Sequence, residues 1–305
     1  MIGIDVGGAN LKVADGCGTA VHFCPLWTGA PIADLLRPYE GEEAAVVMSG
    51  ELADCFASKA EGVAFIVGEV RSVFPEARFY GTDGRFHDGP DPCLAAANWL
   101  ASADWLRSAH PDAVLLDVGS TTADIVPLGE FDRLVGLTDL HRLQRGRLLY
   151  TGMLRTTVPA IVRAVEIGGV PTPVASEHFA QSGDVHLVLG HIGPGDYTCD
   201  TPDRGPRTRT AALRRLARIV CADLEELGED GARSIAEQVW TAQSGEVRRA
   251  VGAAVAVAGA REVVAAGIGA PTFAPAVGGR ALPASVADAL PAHAVRALAL
   301  RGEAR

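Results

Sequence analysis

Short apolar runs alternate with segments of helical periodicity along most of the chain, and this alternation predicts its secondary structure. The apolar runs are bounded by small, acidic or turn-forming residues and predict strands at 1–6, 11–14, 20–24, 44–49, 78–80, 115–118 and 262–266. Apolar positions at helical spacing predict helices at 51–74, 90–110, 159–166, 209–227, 232–258 and 285–300. Because strands and helices alternate, we expect an α/β fold.

Two of the predicted strands end in the same tripeptide, Asp-Val-Gly, and a turn of small residues follows each of them. The chemistry-bearing residues of the two turns are Asp5, Gly7, Gly8, Asn10 and Lys12 in the first, and Asp117, Gly119, Ser120, Thr121, Thr122 and Asp124 in the second. Glycine lets the backbone approach an anion, to which N–H and hydroxyl groups can donate. The Asp before each turn can hold a hydrated Mg²⁺ beside that anion. We therefore predict that both turns bind one phosphate-bearing ligand, with Asp5, Asp117 and Asp124 as magnesium ligands, in part through water.

The specificity of this prediction comes from the second turn and from a third glycine turn. A Gly-Gly turn between two strands is by itself an ordinary hairpin. A structural hairpin, however, does not need the three successive hydroxyl residues 120–122. The third turn, Gly267-Ile268-Gly269, follows an apolar strand and offers bare backbone on which a flat ring could lie. The three turns together predict a nucleotide-like or phosphorylated ligand.

Composition and charge limit the classes of function. The chain of 305 residues suits about two domains, and its net charge of −10 disfavours nucleic acid or an anionic membrane as a partner. A secretory leader has a basic stretch followed by a long apolar segment, and neither precedes the first predicted strand. The six cysteines are scattered without paired spacing, so we expect free thiols that bind no metal. We expect a soluble cytoplasmic protein with a phosphorylated small-molecule substrate, and a homodimer is compatible with these features.

The order of the three glycine turns resembles the actin-like ATPase superfamily, whose ribonuclease H-like fold has two lobes around a ligand cleft. Within it, the segment from Asp117 to Asp124 is similar to the hydantoinase/oxoprolinase branch. Further segments resemble a narrower family associated with tetrahydromethanopterin-linked one-carbon metabolism: 48–54, 80–84, 96–101, 150–155 and 199–201.

The resemblance implies both a domain organisation and an activity. The first lobe, with the first phosphate turn, would span 1–110, and the second lobe, with the second phosphate turn and the adenosine-like turn, would span 111–280. Residues 281–305 would form a C-terminal helix that returns to the first lobe. The implied activity is a transferase of methanofuran biosynthesis, which couples a furanylmethyl diphosphate to a phenolic amine resembling γ-glutamyltyramine and releases diphosphate. Its cofactor would be Mg²⁺, with ATP as a less favoured ligand.

Two alternatives stay open beside this transferase. One is an ATP-dependent kinase or ligase, or a hydantoinase/oxoprolinase-like enzyme, of the same fold. The other is a non-catalytic nucleotide-binding sensor. Because a sensor needs no acids near its turns, the acidic residues Glu51, Asp54, Asp83 and Asp124 argue against it.

Several single side chains are candidates for chemistry, each with a structural alternative. Arg155 suits a planar anionic group and is counted among the phosphate-binding candidates, or is simply solvated. Glu51 and Asp54, predicted one helical turn apart, can steer Mg²⁺ or accept a phenolic proton, or can mark an acidic helix start. Asp83 is a further catalytic candidate or a turn former. With Asp5 and Asp117, Glu51 and Asp83 complete the predicted catalytic set.

Two further groups of residues carry weaker signals. The spacings of His178, His186, His191 and Cys199 match no zinc pattern, so we expect no metal there. A run of three arginines could grip the anionic tail of a substrate, although such loops are usually only solvated: Arg204, Arg207 and Arg209.

Overall fold

The computed structural model describes residues 1–29 and 31–303 and shows an α/β fold, as predicted. The strands are β1 (Ile2–Val6), β2 (Asn10–Ala14), β3 (Thr19–Phe23), β4 (Ala44–Met48), β5 (Arg78–Tyr80), β6 (Phe86–His87), β7 (Ala113–Val118), β8 (Ala123–Pro127), β9 (Leu148–Leu149), β10 (Ala164–Ile167), β11 (Val170–Pro173), β12 (Glu262–Ala266) and β13 (Arg280–Ala281). The helices are α1 (Ile32–Leu36), α2 (Lys59–Val73), α3 (Asn98–Leu106), α4 (Phe131–Leu134), α5 (Asp139–Gln144), α6 (Val158–Ile161), α7 (Ser182–Leu189), α8 (Arg209–Arg218), α9 (Leu224–Ala258), α10 (Ala270–Ala276), α11 (Ala284–Ala287) and α12 (Leu290–Glu303).

The two large sheets repeat one topology. The first sheet has the order β3-β2-β1-β4-β5-β6, and the second has the order β9-β8-β7-β12-β13. In each sheet the central strand, β1 or β7, pairs antiparallel with the next strand of the chain and parallel with its neighbour on the other side. The shared Asp-Val-Gly therefore falls at the end of the same strand in two copies of one mixed sheet. We call the part built on the first sheet the first lobe and the part built on the second sheet the second lobe.

The central strands are buried because the layers on both of their faces are apolar. All five residues of β1 and of β4 are buried. Helix α12 packs against β1, β4 and α3, so the C-terminal end of the chain lies on the first sheet. A continuous apolar core joins residues of β4, α3, β7, β12 and α12. This shared core joins the two sheets, through β4 of the first sheet and β7 and β12 of the second.

Two of the predicted helices are much shorter than the periodicity indicated. The predicted helix 90–110 is α3 alone, since Asp91 caps a separate turn at Pro92–Leu94 and Ala96 has a positive φ of 50°. The predicted helix 159–166 ends at Ile161, and its last residues form β10. The signal for the β10–β11 hairpin was the pair Gly168-Gly169, whose φ values of 57° and 81° suit a tight turn.

The other helix predictions differ from the structure at their boundaries. Residues 51–58 form turns, and α2 begins at Lys59 because the Ser58 side chain accepts a hydrogen bond from the N–H of Glu61. The prediction that Glu51 and Asp54 lie one helical turn apart is therefore wrong, because neither residue is in a helix. The predicted helix 209–227 is broken after α8, where Cys221 has a φ of 59° and Asp223 caps α9. The final helix is two helices, α11 and α12.

The described helices include none that is both long enough and apolar enough to cross a membrane.

Candidate active site

The two predicted phosphate turns have the same backbone geometry. The N–H of Gly7 donates to the carbonyl of Asn10 at 3.0 Å, and the N–H of Gly119 donates to the carbonyl of Thr122 at 2.9 Å. Each turn therefore closes over two residues at the end of its central strand. The repeat seen in the sequence is a repeat of local structure.

In both turns the carbonyl groups are held by neighbouring backbone. The carbonyls of Gly8 and Ala9 accept from Leu26 and Cys24 at 3.0 and 2.9 Å. The carbonyl of Ser120 accepts from both Leu154 and Arg155 at 2.9 Å, and that of Gly119 accepts from Met153 at 2.9 Å.

The N–H groups at the tips of the turns take no part in these bonds. In the described parts of the chain, no hydrogen-bond acceptor takes the N–H of Gly8, Ala9, Ser120 or Thr121. Unpaired backbone donors are normally satisfied by water or by a ligand, and successive free N–H groups form a concave site for anions. Both turns therefore offer free backbone donors of the kind that anion sites use.

Asp5 lies beneath the first turn with an unsatisfied oxygen. Its side chain is 4% exposed, and within residues 1–29 and 31–303 its Oδ1 has no hydrogen-bond partner. Lys12 Nζ lies 3.8 Å from its Oδ2. Burial raises the pKa of Asp5, and Lys12 partly opposes that rise. A buried carboxylate oxygen without a donor fits a cation ligand, because it gains from a positive charge what it has lost in hydration.

Asp117 lies beneath the second turn, opposite Asp124 in the β7–β8 register. Burial and the charge of Asp124 raise the pKa of Asp117 to about 7, and Asp5 contributes in the same direction. Lys12 acts on both Asp5 and Asp117, which places the carboxylates of the two lobes in one electrostatic cluster. Oxygen-only donors crowded together fit Mg²⁺, which prefers carboxylates and water.

Asp124 is held by a residue that the sequence did not indicate. Arg142 of α5 donates to Asp124 Oδ1 and, at 2.9 Å, to Asp139. Its guanidinium also stacks 4.2 Å from the ring centre of Trp99. Arg142 therefore takes one carboxylate oxygen of Asp124, which was predicted to be a magnesium ligand. Since α5 follows β8 without any recognisable motif, only the tertiary fold reveals this pairing.

The second turn is supported by a buried polar network. Gln243 of α9 donates to Thr151 Oγ1 at 3.0 Å and to the carbonyl of Gly152 at 2.9 Å, and it accepts from His186 at 3.1 Å. Burial lowers the pKa of His186 to about 3, so its ring is neutral. Gly152 lies so close to the turn that a Cβ there would come within 2.6 Å of the Thr121 backbone. Thr151 and Gly152, which belong to the segment 150–155 noted in the sequence, therefore pack behind the second phosphate turn.

A cavity of about 190 Å³ opens between the two turns and contains residues of both lobes. Its wall includes Asn10, Phe23 and Trp27 of the first lobe and Ser120, Arg155 and Cys199 of the second. The Arg155 guanidinium lies 4.8 Å from the ring centre of Trp27, and no carboxylate of the described chain forms an ion pair with it. The cavity thus offers a cation and two aromatic faces beside the free N–H groups.

The glycines of the third turn serve close packing. A Cβ at Gly267, whose φ is 78°, would lie 2.3 Å from the Val118 carbonyl and 2.5 Å from Asp117 Oδ1. A Cβ at Gly269 would meet the Val118 side chain at 2.6 Å, and the N–H of Gly269 donates to the Val118 carbonyl. The turn thus approaches Val118 and Asp117 so closely that neither position has room for a side chain, and packing alone explains both glycines.

The remaining acidic candidates have different surroundings. Glu51 is 2% exposed, its Oε2 has no hydrogen-bond partner in the described structure, and Lys59 lies 4.0 Å from its Oε1. Burial raises its pKa. Asp54 lies in the turns after β4. Asp83 binds His87 and the N–H of Arg85, and no described contact joins it to Asp5 or Asp117.

The weaker candidates are placed as follows. Arg204 and Arg207 line a second cavity that shares Asp200 with the cleft, whereas Arg209 pairs with Glu229 at 3.2 Å. His186 and His191 hydrogen bond to each other at 2.9 Å, and His178 binds Gln181. The six cysteines form no disulfide in the described structure.

Two sheets of the same ribonuclease H-like strand order around one cleft define a two-lobed α/β protein of the actin-like ATPase type. The hydantoinase/oxoprolinase family model matches residues 42–282, and the chain belongs to this family. The resemblance predicted from the sequence is thereby confirmed.

Two relatives carry the same name, (4-{4-[2-(γ-L-glutamylamino)ethyl]phenoxymethyl}furan-2-yl)methanamine synthase. The protein of Methanocaldococcus jannaschii is 35% identical over 254 residues, which cover 79% of this chain and 77% of the relative. The protein of Methanococcus vannielii is 37% identical over 134 residues, which cover 44% of this chain and 60% of the relative. Both names describe synthases of a phenoxymethyl-furan methanamine, in agreement with the narrower resemblance.

Similar solved structures include a ROK family glucokinase from Streptomyces griseus, with 11% identity, a TM-score of 0.47 and 99% coverage of both chains. An acetone carboxylase structure has 13% identity and a TM-score of 0.48, covering 89% of this chain and 46% of the other.

Proposed function

We propose that this protein is a magnesium-dependent transferase that joins a furanylmethyl diphosphate to a phenolic amine. The observation that carries this proposal is the pair of turns with free N–H groups above buried carboxylates, one from each lobe, at a cleft with aromatic walls. The names of the two relatives support the substrates, because they describe a product in which a phenol oxygen is bonded to a furanylmethyl carbon.

The proposed reaction forms that aryl ether. The phenol oxygen attacks the furanylmethyl carbon, the bond from this carbon to the diphosphate oxygen breaks, and diphosphate leaves with the electron pair. Negative charge grows on the leaving oxygens, where the N–H groups of Gly8, Ala9, Ser120 and Thr121 would donate. Bound Mg²⁺, held by Asp5 and Asp117, would supply a positive charge beside the leaving group.

The phenol proton needs an acceptor, and Glu51 is the side chain that we propose for it. Its buried carboxylate has one oxygen without a partner and a raised pKa, as expected of a general base tuned toward neutrality. Trp27 and Phe23 would pack against the flat rings of the substrates, and Arg155 would bind the diphosphate.

The packing of the third glycine turn favours this proposal over ATP-dependent chemistry. Gly267 and Gly269 are pressed against Val118 and Asp117, so the described structure gives the turn a packing role without requiring adenosine. The alternative is an ATP-dependent kinase or ligase of the same fold, and the experiment must distinguish it from the proposed transferase.

The test is an assay with purified protein, Mg²⁺, 5-(aminomethyl)furan-3-ylmethyl diphosphate and γ-glutamyltyramine, with and without ATP. We expect equal amounts of free diphosphate and of the coupled ether, measured by mass spectrometry, without ATP. Asp5→Asn should lose at least about tenfold in turnover, whereas Asp112→Asn, on an exposed loop, should keep the wild-type rate. A strict requirement for ATP with formation of ADP would refute the proposal.

A further inference from the structure

A second group of potential metal ligands lies at the edge of the first sheet, on the loop between β5 and α3. Asp83 comes from the turn after β5, His87 from β6, and Cys93 from the short turn before α3. His87 Nε2 lies 3.1 Å from both carboxylate oxygens of Asp83 and 3.2 Å from Cys93 Sγ. One potential ligand atom from each residue lies within 4.8 Å of the other two.

This arrangement differs from a catalytic Cys-His-Asp triad. In such a triad the two ring nitrogens of histidine serve different partners. Here Asp83 and Cys93 both approach the same nitrogen, Nε2. One ring nitrogen has either one proton or one lone pair, so it cannot serve both partners in full. A cation between the three groups would satisfy all of them.

Gly81 leaves the space for such a cation. A Cβ at Gly81 would lie 2.6 Å from Cys93 Sγ, 2.8 Å from Asp83 Oδ1 and 3.3 Å from His87 Nε2. The three donors thus surround one point near the backbone, and any side chain at residue 81 would fill it. The φ angle of Gly81 is not positive, so any residue could adopt its backbone conformation. A glycine is needed here because there is no space for a side chain.

We propose that Asp83, His87 and Cys93 bind a zinc ion, with water as the fourth ligand. One sulfur, one nitrogen and one oxygen donor suit Zn²⁺ and are unsuited to Mg²⁺, which takes oxygen ligands. Tetrahedral bonds of about 2.0–2.3 Å place neighbouring ligands roughly 3.3–3.7 Å apart. The observed separations of 3.1 and 3.2 Å need to widen by only a few tenths of an ångström.

The ion would fasten the loop that leads from the first sheet to α3. The carbonyl of Cys93 already accepts from the N–H and the hydroxyl of Thr82 at 2.7 and 3.0 Å. Four residues later, the N–H of Ala97 donates to the carbonyl of Met48 at the end of β4. A zinc ion at this site would therefore hold a segment that runs from the edge of the first sheet to the end of β4. The proposal gives Asp83 a role different from the catalytic one predicted from the sequence, and it makes Cys93 an exception to the expectation that no cysteine binds metal.

The experiment measures the metal content of the whole protein. The protein is purified without chelator, dialysed against a zinc salt, and then separated from unbound zinc. We expect stoichiometric zinc by elemental mass spectrometry in the wild type. After replacement by cobalt, we expect the visible bands of tetrahedral Co²⁺ and a thiolate-to-cobalt charge-transfer band. Cys93→Ser should lose the charge-transfer band and most of the zinc, while Cys17→Ser, at an exposed thiol, should change neither.

A second pair of variants tests the cavity without removing a ligand. Gly81→Ala should lose the metal, because its methyl group takes the place of the ion. Gly89→Ala lies in the same loop with nothing within 4 Å of the added Cβ and should bind zinc normally. Circular dichroism on each variant separates metal loss from unfolding. A wild type without zinc after this treatment, or Cys93→Ser with full zinc, would overturn the proposal whether or not the transferase activity is found.

Discussion

Asp117 lies opposite Asp124 across β7 and β8, at the register where Asp5 lies opposite Lys12 across β1 and β2. The two lobes therefore carry the same strand pair but opposite charges at the facing position. In the first lobe, the positive charge of Lys12 lies opposite the carboxylate of Asp5 and partly opposes the rise in its pKa. In the second lobe, Asp124 raises the pKa of its neighbour, and Arg142 compensates Asp124 from a helix instead. Asp117 thus faces an acidic residue where Asp5 faces a basic one, and we propose that Mg²⁺ binds there.

The first prediction concerns the pH dependence of stability without metal. Burial raises the pKa of Asp117 in the folded protein to about 7, above its ordinary value of 3.8. Between these values the folded protein holds a proton that the unfolded chain has lost, so stability falls as pH rises through this window. Asp117→Asn should remove this loss and raise the free energy of unfolding at pH 8 by on the order of 2 kcal/mol. At pH 4 the gain should nearly vanish.

Thermal unfolding in a chelator at several pH values measures this effect, with Asp112→Asn as the control for an exposed acid. Added Mg²⁺ should stabilise the wild type and leave Asp117→Asn largely unchanged. If both proteins respond equally to Mg²⁺, Asp117 does not hold the ion.

The second prediction concerns the glycine behind the second phosphate turn. In Gly152→Ala the new methyl group would be 2.6 Å from the backbone of Thr121, so the turn must move. We expect a loss of about 1–3 kcal/mol in stability, as for other overpacked sites, and weaker binding of diphosphate. Gly68→Ala, in the middle of α2 with open space around it, should be neutral or stabilising. Calorimetric titration with diphosphate compares the two, and equal affinities would contradict this role.

The third prediction concerns Gln243, which bridges α9 and the residues behind the second turn. Gln243→Leu would leave the carbonyl of Gly152 and the hydroxyl of Thr151 without their donor in a buried site. Each unsatisfied group costs about 1–3 kcal/mol. Gln238→Leu removes hydrogen bonds from the same helix to β10, at a half-buried position, and is the matched control. We expect chemical denaturation to show the larger loss for Gln243→Leu, and the reverse order would argue against a supporting network.

The residues show which parts of this structure could be predicted from the sequence. The paired turns were predictable because local chemistry defines them: a strand, Asp-Val-Gly and a run of small residues. The β10–β11 hairpin was also encoded locally, in Gly168-Gly169. The apolar residues before it have helical spacing, however, and so predict a helix where β10 lies. Arg142 was not predictable, since its contact with Asp124 depends on how α5 folds back over β8. The grouping of Asp83, His87 and Cys93 likewise follows no common zinc spacing and appears only when β6 and the next turn come together.

The last prediction concerns the aromatic wall of the cleft. Trp27 is 39% exposed and lies under the Arg155 guanidinium, which no acid of the described chain neutralises. If Arg155 binds diphosphate, its charge is shared between the anion and the indole ring, and loss of either side chain should weaken donor binding. Arg155→Ala removes a charge-assisted hydrogen bond and should raise KM for the furanylmethyl diphosphate by about tenfold or more, with Arg155→Lys recovering part of the loss.

Trp27 tests the same wall by a different property. Trp27→Ala should raise KM for the donor with a smaller effect on kcat, because the ring would pack against the substrate and would take no part in bond breaking. Trp27→Phe keeps a flat ring and should retain most of the affinity. Diphosphate binding should also change the tryptophan fluorescence of the wild type, and this change should be absent in Trp27→Phe, although three other tryptophans remain. An unchanged KM in both Arg155→Ala and Trp27→Ala would place the donor outside this cavity.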